Sequence, residues 1–136
     1  MSARVLVIED NRENMELMVY LLEAAGHTVF QAFDGAAGLE LAGREVPDLV
    51  LSDVRMPVMD GYEVARRLKS DPGLRTIPVV AVTASASGAH RSEALAAGFD
   101  EFIVKPIDPE AFLRHLPVLL ALHENGGCAE PGPGCP

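Results

Sequence analysis

Short apolar runs alternate with longer amphipathic stretches along the first 123 residues, and this alternation is the strongest constraint on the fold. Arg4 to Ile8 is a tight run of β-branched residues and leucine that reads as a strand. Asp48 to Ser52 and Pro78 to Val82 are apolar through their centres, the mark of strands covered on both faces. Thr28 to Ala32 and Glu101 to Val104 complete five strands. Between them, Met15, Met18, Val19 and Leu22 recur at helical spacing in a stretch reaching Ala25, with Gly26 where a C-terminal cap belongs. Asp34-Gly35 reads as a turn and Ala36 to Gly43 as a short helix carrying Leu39 and Ala42 on one side. Asp60, Ser87 and Asp108 stand as N-caps of three further helices, the last with Pro109 at its first position and the middle one ending near Gly98. Pro117 falls inside the last helix, where a kink or break is expected.

Five strands alternating with five helices predict an α/β doubly wound parallel sheet covered on both faces by right-handed crossovers. One domain, residues 1–123, accommodates this pattern. The remaining stretch, 124–136, has 7 Gly or Pro among 13 residues and predicts a disordered tail. Cys128 and Cys135 both lie there, so the core does not rest on a disulfide. The net charge is 11 − 20 = −9, which argues against binding a nucleic-acid backbone. No apolar run approaches the roughly 20 residues of a membrane span. The first residues enter a strand without a signal-peptide layout, so a cytoplasmic location is expected.

In doubly wound sheets ligands bind beyond the carboxyl ends of the strands, where strand order reverses. Glu9-Asp10, Asp53, Thr83 and Lys105 follow strands one, three, four and five. If strands one and three are neighbours, three carboxylates converge. Two like charges about 4 Å apart repel by about 4 kcal/mol at an effective dielectric of about 20, so counter-charge is required. Lys105 supplies one positive group, and a hard divalent cation such as Mg²⁺ suits the oxygen donors as the second. A carboxylate can attack a phosphoryl group, while a hydroxyl, an ammonium and a metal stabilise its oxygens.

These segments, Val-Leu-Val-Ile-Glu9-Asp10-Asn11, Leu-Val-Leu-Ser-Asp53-Val-Arg-Met-Pro57-Val-Met-Asp60-Gly61, Val-Val-Ala-Val-Thr83-Ala84 and Phe102-Ile-Val-Lys105-Pro106, resemble the receiver domain of bacterial two-component response regulators. The resemblance runs from Val5 to about Leu122. It implies the flavodoxin-like strand order 2-1-3-4-5. It implies phosphorylation of Asp53 from the phosphohistidine of a sensor histidine kinase or phosphotransfer protein, dependent on Mg²⁺. Glu9, Asp10, Asp53 and the backbone carbonyl of Arg55 would hold the metal, and Thr83 and Lys105 would bind the phosphoryl group. It implies a cis Lys105-Pro106 peptide. Thr83 and Phe102 match the switch pair, with Phe102 lacking the commoner tyrosine hydroxyl. A downstream partner would dock on the face of the fourth helix, fifth strand and fifth helix, and the protein would be a monomer or weak dimer. Glu9 stands where aspartate is commoner in the family. Pro117 counts against family-like dimerisation through the fifth helix.

The same residues bear on other functions. An aspartate-nucleophile phosphohydrolase often has a second aspartate two residues after the nucleophile, and here that residue is Arg55. The expectation is therefore a phosphoacceptor and not a turnover enzyme. A degenerate receiver used as a binding module would lack a site residue, and none is missing. Either a stand-alone receiver or a part of a longer regulator or hybrid kinase fits the chain. Read singly, Asp53 would be a strand-end acid, Thr83 a strand residue, Phe102 a core aromatic and Lys105 half of a structural salt bridge. Asp60 and Gly61 read as helix-start geometry, and His27, His90, His115 and His123 as surface residues without metal-ligand spacing.

Overall fold

The computed structural model describes residues 2–84 and 88–126. Its five strands are β1 (Arg4–Ile8), β2 (Thr28–Ala32), β3 (Leu49–Asp53), β4 (Val79–Thr83) and β5 (Glu101–Val104). They alternate with α1 (Arg12–Ala24), α2 (Gly35–Glu45), α3 (Gly61–Ser70), α4 (Gly88–Ala97) and α5 (Pro109–Gly126). The sheet is parallel throughout, in the order β2-β1-β3-β4-β5. The expected doubly wound architecture is the observed one, and strand order reverses between β1 and β3.

Alternate residues of each central strand face opposite layers, as the two-residue period of a strand demands. Leu6, Ile8, Val50, Val79 and Ala81 pack with Ala42 of α2, Val64 and Leu68 of α3, and Ala94 and Ala97 of α4. Val5, Val7, Leu49, Leu51, Val80 and Val82 pack with Met15, Met18 and Leu22 of α1 and with Phe112, Leu116 and Leu119 of α5. Every residue of β3 is buried, which is why its sequence shows no polar alternation.

Several element boundaries differ from the sequence reading, each for a local reason. Asp34-Gly35 is a helix start and not a turn. The Asp34 carboxylate accepts the Ala37 N–H at 2.8 Å, and α2 runs from Gly35. Both β3 and β4 begin one residue later than expected and extend to Asp53 and Thr83. Pro78 has no N–H for the ladder, although its carbonyl accepts from Val50 at 3.0 Å. Gly26 takes the left-handed φ of +92° after the α1 cap at Ala25.

Pro117 does not break α5, which is continuous to Gly126, three residues past the expected domain boundary. Leu116 and Leu119 anchor the helix to the core on either side of the proline. Leu113, whose carbonyl loses its donor to the proline ring, is exposed and can turn that group to water. The expected cap at Ser87 and the stretch from 127 onward lie outside the described residues.

Candidate functional site

β1 and β3 are hydrogen-bonded neighbours, so their carboxyl ends deliver Glu9, Asp10 and Asp53 to one place. The three carboxylates offer oxygens that all lie within 4.8 Å of one another. Glu9 is fully buried, Asp53 is 6% exposed and Asp10 faces solvent. Among the described residues this is the only cluster of three acidic, histidine or cysteine side chains able to hold a metal ion.

Lys105, carried on the segment after β5, reaches across this group. Its Nζ lies 3.2 Å from Asp53 Oδ2 and 3.1 Å from Glu9 Oε1. The Lys105-Pro106 peptide is cis, as the resemblance implied. Backbone donors hold the other carboxylate oxygens. The Arg55 N–H donates to Asp53 Oδ1 at 3.2 Å, and the Asn11 N–H donates to Glu9 Oε2 at 3.1 Å. Burial, with the neighbouring Asp53 carboxyl next, pushes the Glu9 carboxyl up to about 7, against the pull of the Asn11 N–H and the Lys105 charge. Burial pushes the Lys105 ammonium down, but Asp53 and Glu9 outweigh it and hold the group above its usual value.

One oxygen remains without a hydrogen bond. Glu9 Oε1 is buried, and the Lys105 ammonium meets it at ion-pair distance without hydrogen-bonding geometry. An orphaned buried carboxylate oxygen beside two further carboxylates is a donor set that fits a hard divalent cation with oxygen preference.

Thr83 is half-buried at the end of β4, the strand beside β3. Phe102 is half-buried on β5 and packs against the core layer of α2, α3 and α4. Its N–H is met by the Glu101 carboxylate at 3.1 Å. The sheet thus aligns all of the sequence-identified strand ends on one edge. His27 and His115 are half-buried and not simple surface residues. His27 Nδ1 accepts the Ala3 N–H at 3.0 Å, far from the acids at the opposite edge of the sheet.

Gly61 has a larger part than the helix start assigned to it. Its N–H donates to the Val54 carbonyl at 2.9 Å, and its Cα sits against the backbone of Asp53 and Val54. The intervening loop contains Val58, fully exposed at φ +69°, in a three-residue turn closed by Met59 N–H to the Pro57 carbonyl at 2.8 Å. A β-branched residue with this φ is strained, so the loop is held by its ends.

A match to the response regulator receiver domain covers residues 5–117. The chain belongs to the response regulator receiver family. It is 45% identical over 108 residues to the response regulator PleD of Caulobacter vibrioides, a match covering 79% of this chain and 24% of PleD. The chain therefore spans about a quarter of that relative. It is 39% identical over 114 residues to the polar-differentiation response regulator DivK of Brucella ovis, covering 84% of this chain and 93% of DivK. Among solved structures, the receiver domain of sensor histidine kinase PA1611 from Pseudomonas aeruginosa PAO1 superposes with a TM-score of 0.81 at 30% identity, over 89% of this chain and 99% of that one. That receiver carries a magnesium ion coordinated in its active-site cleft. No helix among the described residues of this receiver is long and apolar enough to cross a membrane.

Proposed function

We propose that this receiver accepts a phosphoryl group onto Asp53 from the phosphohistidine of a sensor histidine kinase or phosphotransfer protein, and that the modification switches a protein-interaction surface. The observation that carries this reading is the bridging of Asp53 and Glu9 by one Lys105 ammonium at the switch point of the sheet. An Asp53 carboxylate oxygen attacks phosphorus, the phosphorus–nitrogen bond breaks, and the imidazole leaves with the bonding electron pair. Lys105 follows the charge from the Asp53 carboxylate onto the phosphoryl oxygens. The Thr83 hydroxyl donates to another of those oxygens. The Arg55 N–H keeps Asp53 Oδ1 oriented and leaves Oδ2 to react. Glu9, Asp10, Asp53 and the Arg55 carbonyl would hold Mg²⁺, which when bound neutralises charge on the transferring group.

Thr83 and Phe102 would carry the change to the face of α4, β5 and α5. Leu95, Val104, Leu113 and Val118 are exposed apolar side chains on those elements, which favours a protein partner there. The phosphate acts only through contacts that differ between two surface states. The reading is of a cytoplasmic phosphoacceptor that turns over no external substrate, because Arg55 stands where a hydrolase would place a second acid.

Intact mass after incubation with acetyl phosphate and Mg²⁺ tests this. One added phosphoryl group, absent from Asp53→Asn and from a sample with EDTA, is expected. No adduct, together with no binding of beryllofluoride, overturns it.

A further inference from the structure

Ser52 is fully buried on β3, directly before Asp53, and the phosphoryl transfer proposed above makes no use of it. Among the described residues, Glu9, Ser52 and Asp53 are the buried polar or charged side chains, and Ser52 alone of these is not a carboxylate of the site. Its registered neighbours are Ile8 on β1 and Ala81 on β4, whose side chains offer no hydrogen bond. The Ser52 hydroxyl instead donates to the Asp53 main-chain carbonyl at 3.0 Å.

That carbonyl stands where β3 leaves the sheet. The register of β1 with β3 ends at Ile8 and Ser52, and Asp53 is paired with Val82 of β4. Each polar group of the departing chain meets a fixed partner. The Val54 N–H donates to the Val82 carbonyl at 3.2 Å, and the Val54 carbonyl accepts from Gly61 at 2.9 Å. The Arg55 N–H donates to Asp53 Oδ1 at 3.2 Å. The Asp53 carbonyl rests between the Ser52 hydroxyl and the backbone of Gly61. Gly61 blocks this carbonyl on one side, whereas only the hydroxyl attracts it. A buried carbonyl without a donor is costly, so loss of the hydroxyl drives the Asp53-Val54 peptide to rotate toward another donor. Such a rotation carries the Arg55 N–H with it, and that N–H orients the Asp53 carboxylate.

We propose that Ser52 is a positioning residue for the phosphoacceptor: its hydroxyl fixes the Asp53-Val54 peptide and, through the Arg55 N–H, the aim of the Asp53 carboxylate. This rests on the phosphorylation proposed above. Ser52 itself does not touch the reacting atoms, because successive strand residues point to opposite faces of the sheet. Rate is sensitive to such aim, since a misplacement of about 1 Å can cost about 100-fold.

Phosphorylation by acetyl phosphate at saturating Mg²⁺ is timed for wild type, Ser52→Ala, Ser52→Thr and Ser52→Val, well below each unfolding transition. Ser52→Ala removes a single heavy atom and retains the fold. Ser52→Thr and Ser52→Val add the same branched shape, and only the first keeps a hydroxyl, so this pair separates the hydrogen bond from packing. Ser52→Ala is expected to react about 3- to 10-fold more slowly than wild type, the share of one hydrogen bond spent on orientation. Ser52→Val should trail Ser52→Thr by a similar factor. In ¹H–¹⁵N spectra the Arg55 amide signal should move in Ser52→Ala and Ser52→Val and return toward its wild-type position in Ser52→Thr, which a purely structural serine would not produce. If the added methyl unfolds both branched variants, the rate and the Arg55 signal of Ser52→Ala decide. A Ser52→Ala rate within about twofold of wild type, the scatter expected of uncoupled sites, overturns the proposal. An unmoved Arg55 signal, or folded Ser52→Thr no faster than Ser52→Val, overturns it as well. Wild type that takes up neither a phosphoryl group nor beryllofluoride overturns it together with the phosphorylation reading, whereas normal labelling of wild type and Ser52→Ala alike removes the role of Ser52 alone.

Discussion

Gly61 sits directly on the Asp53 carbonyl. A Cβ at Gly61 would lie 2.3 Å from that oxygen and 2.8 Å from Val54 Cα. Both obstacles are backbone, so neither can swing aside as a flexible side chain would. Gly61→Ala must therefore move the start of α3 or the end of β3. Overpacking of this kind costs about 1–3 kcal/mol. The expected result is a lower thermal midpoint together with a fall in the initial rate of phosphorylation by acetyl phosphate, because Asp53 moves with its backbone. A destabilised variant that phosphorylates at the wild-type rate would show that the contact supports the fold without positioning Asp53.

Lys105 is the one cation within ion-pair distance of Asp53 and Glu9 among the described residues. Lys105→Met keeps much of the side-chain length and removes the charge. Loss of one such donor at a site of developing negative charge typically costs about 100-fold or more in rate. Rates with acetyl phosphate at saturating Mg²⁺ measure it. A loss under about threefold would mean that the ammonium offsets the resting carboxylates and does not follow their charge into the reaction.

Glu9 sets a pH dependence whose sign is fixed by the direction of its shift. Its carboxyl rises from 4.5 to about 7 in the fold, foremost through burial. A raised carboxyl favours the protonated folded form, so this contribution to stability is complete below about 4.5 and is lost as pH rises through about 7. His27 works in the opposite sense. Burial lowers its pKa below 6.5, and its contribution is lost as pH falls. The raised Lys105 group acts only in the alkaline range, outside this window. Comparison with Glu9→Gln isolates the Glu9 part. In EDTA, the urea midpoint of wild type relative to Glu9→Gln should fall between pH 5 and pH 8. A flat difference would show that Glu9 stays ionised in the metal-free fold.

What could be read from the chain alone divides along a physical line. Glu9, Asp10, Asp53, Thr83 and Lys105 were legible because each ends or follows a short apolar run, and parallel topology carries all strand ends to one edge. Asp34-Gly35 is ambiguous in sequence because the same pair suits a turn and a helix cap, and only the following packing of α2 decides between them. Pro117 was expected to kink or break a helix that Leu116 and Leu119 hold continuous. In sequence Gly61 shows only a helix start, since its contact with Asp53 depends on how the β3–α3 loop closes. Contacts between residues distant in sequence leave no local signal.

Lys69 is such a contact. Its Nζ donates to the Arg75 carbonyl at 3.2 Å, the Ile77 carbonyl at 2.9 Å and Asp100 Oδ2 at 2.8 Å. Asp100 Oδ2 also accepts the Val79 N–H at 2.8 Å, so one ammonium ties the end of α3 to the beginnings of β4 and β5. These are the amino ends of the strands, whereas Asp53, Thr83 and Lys105 lie at or beyond the carboxyl ends. Lys69→Met should cost about 1–3 kcal/mol, the penalty for leaving half-buried acceptors unmet, and lower the urea midpoint accordingly. Its rate of phosphorylation by acetyl phosphate, measured well below the unfolding transition, should match wild type within about twofold, the scatter expected where no contact is shared. A larger loss of rate would mean that strain at the amino ends of β4 and β5 is transmitted along the strands to Thr83 and Lys105.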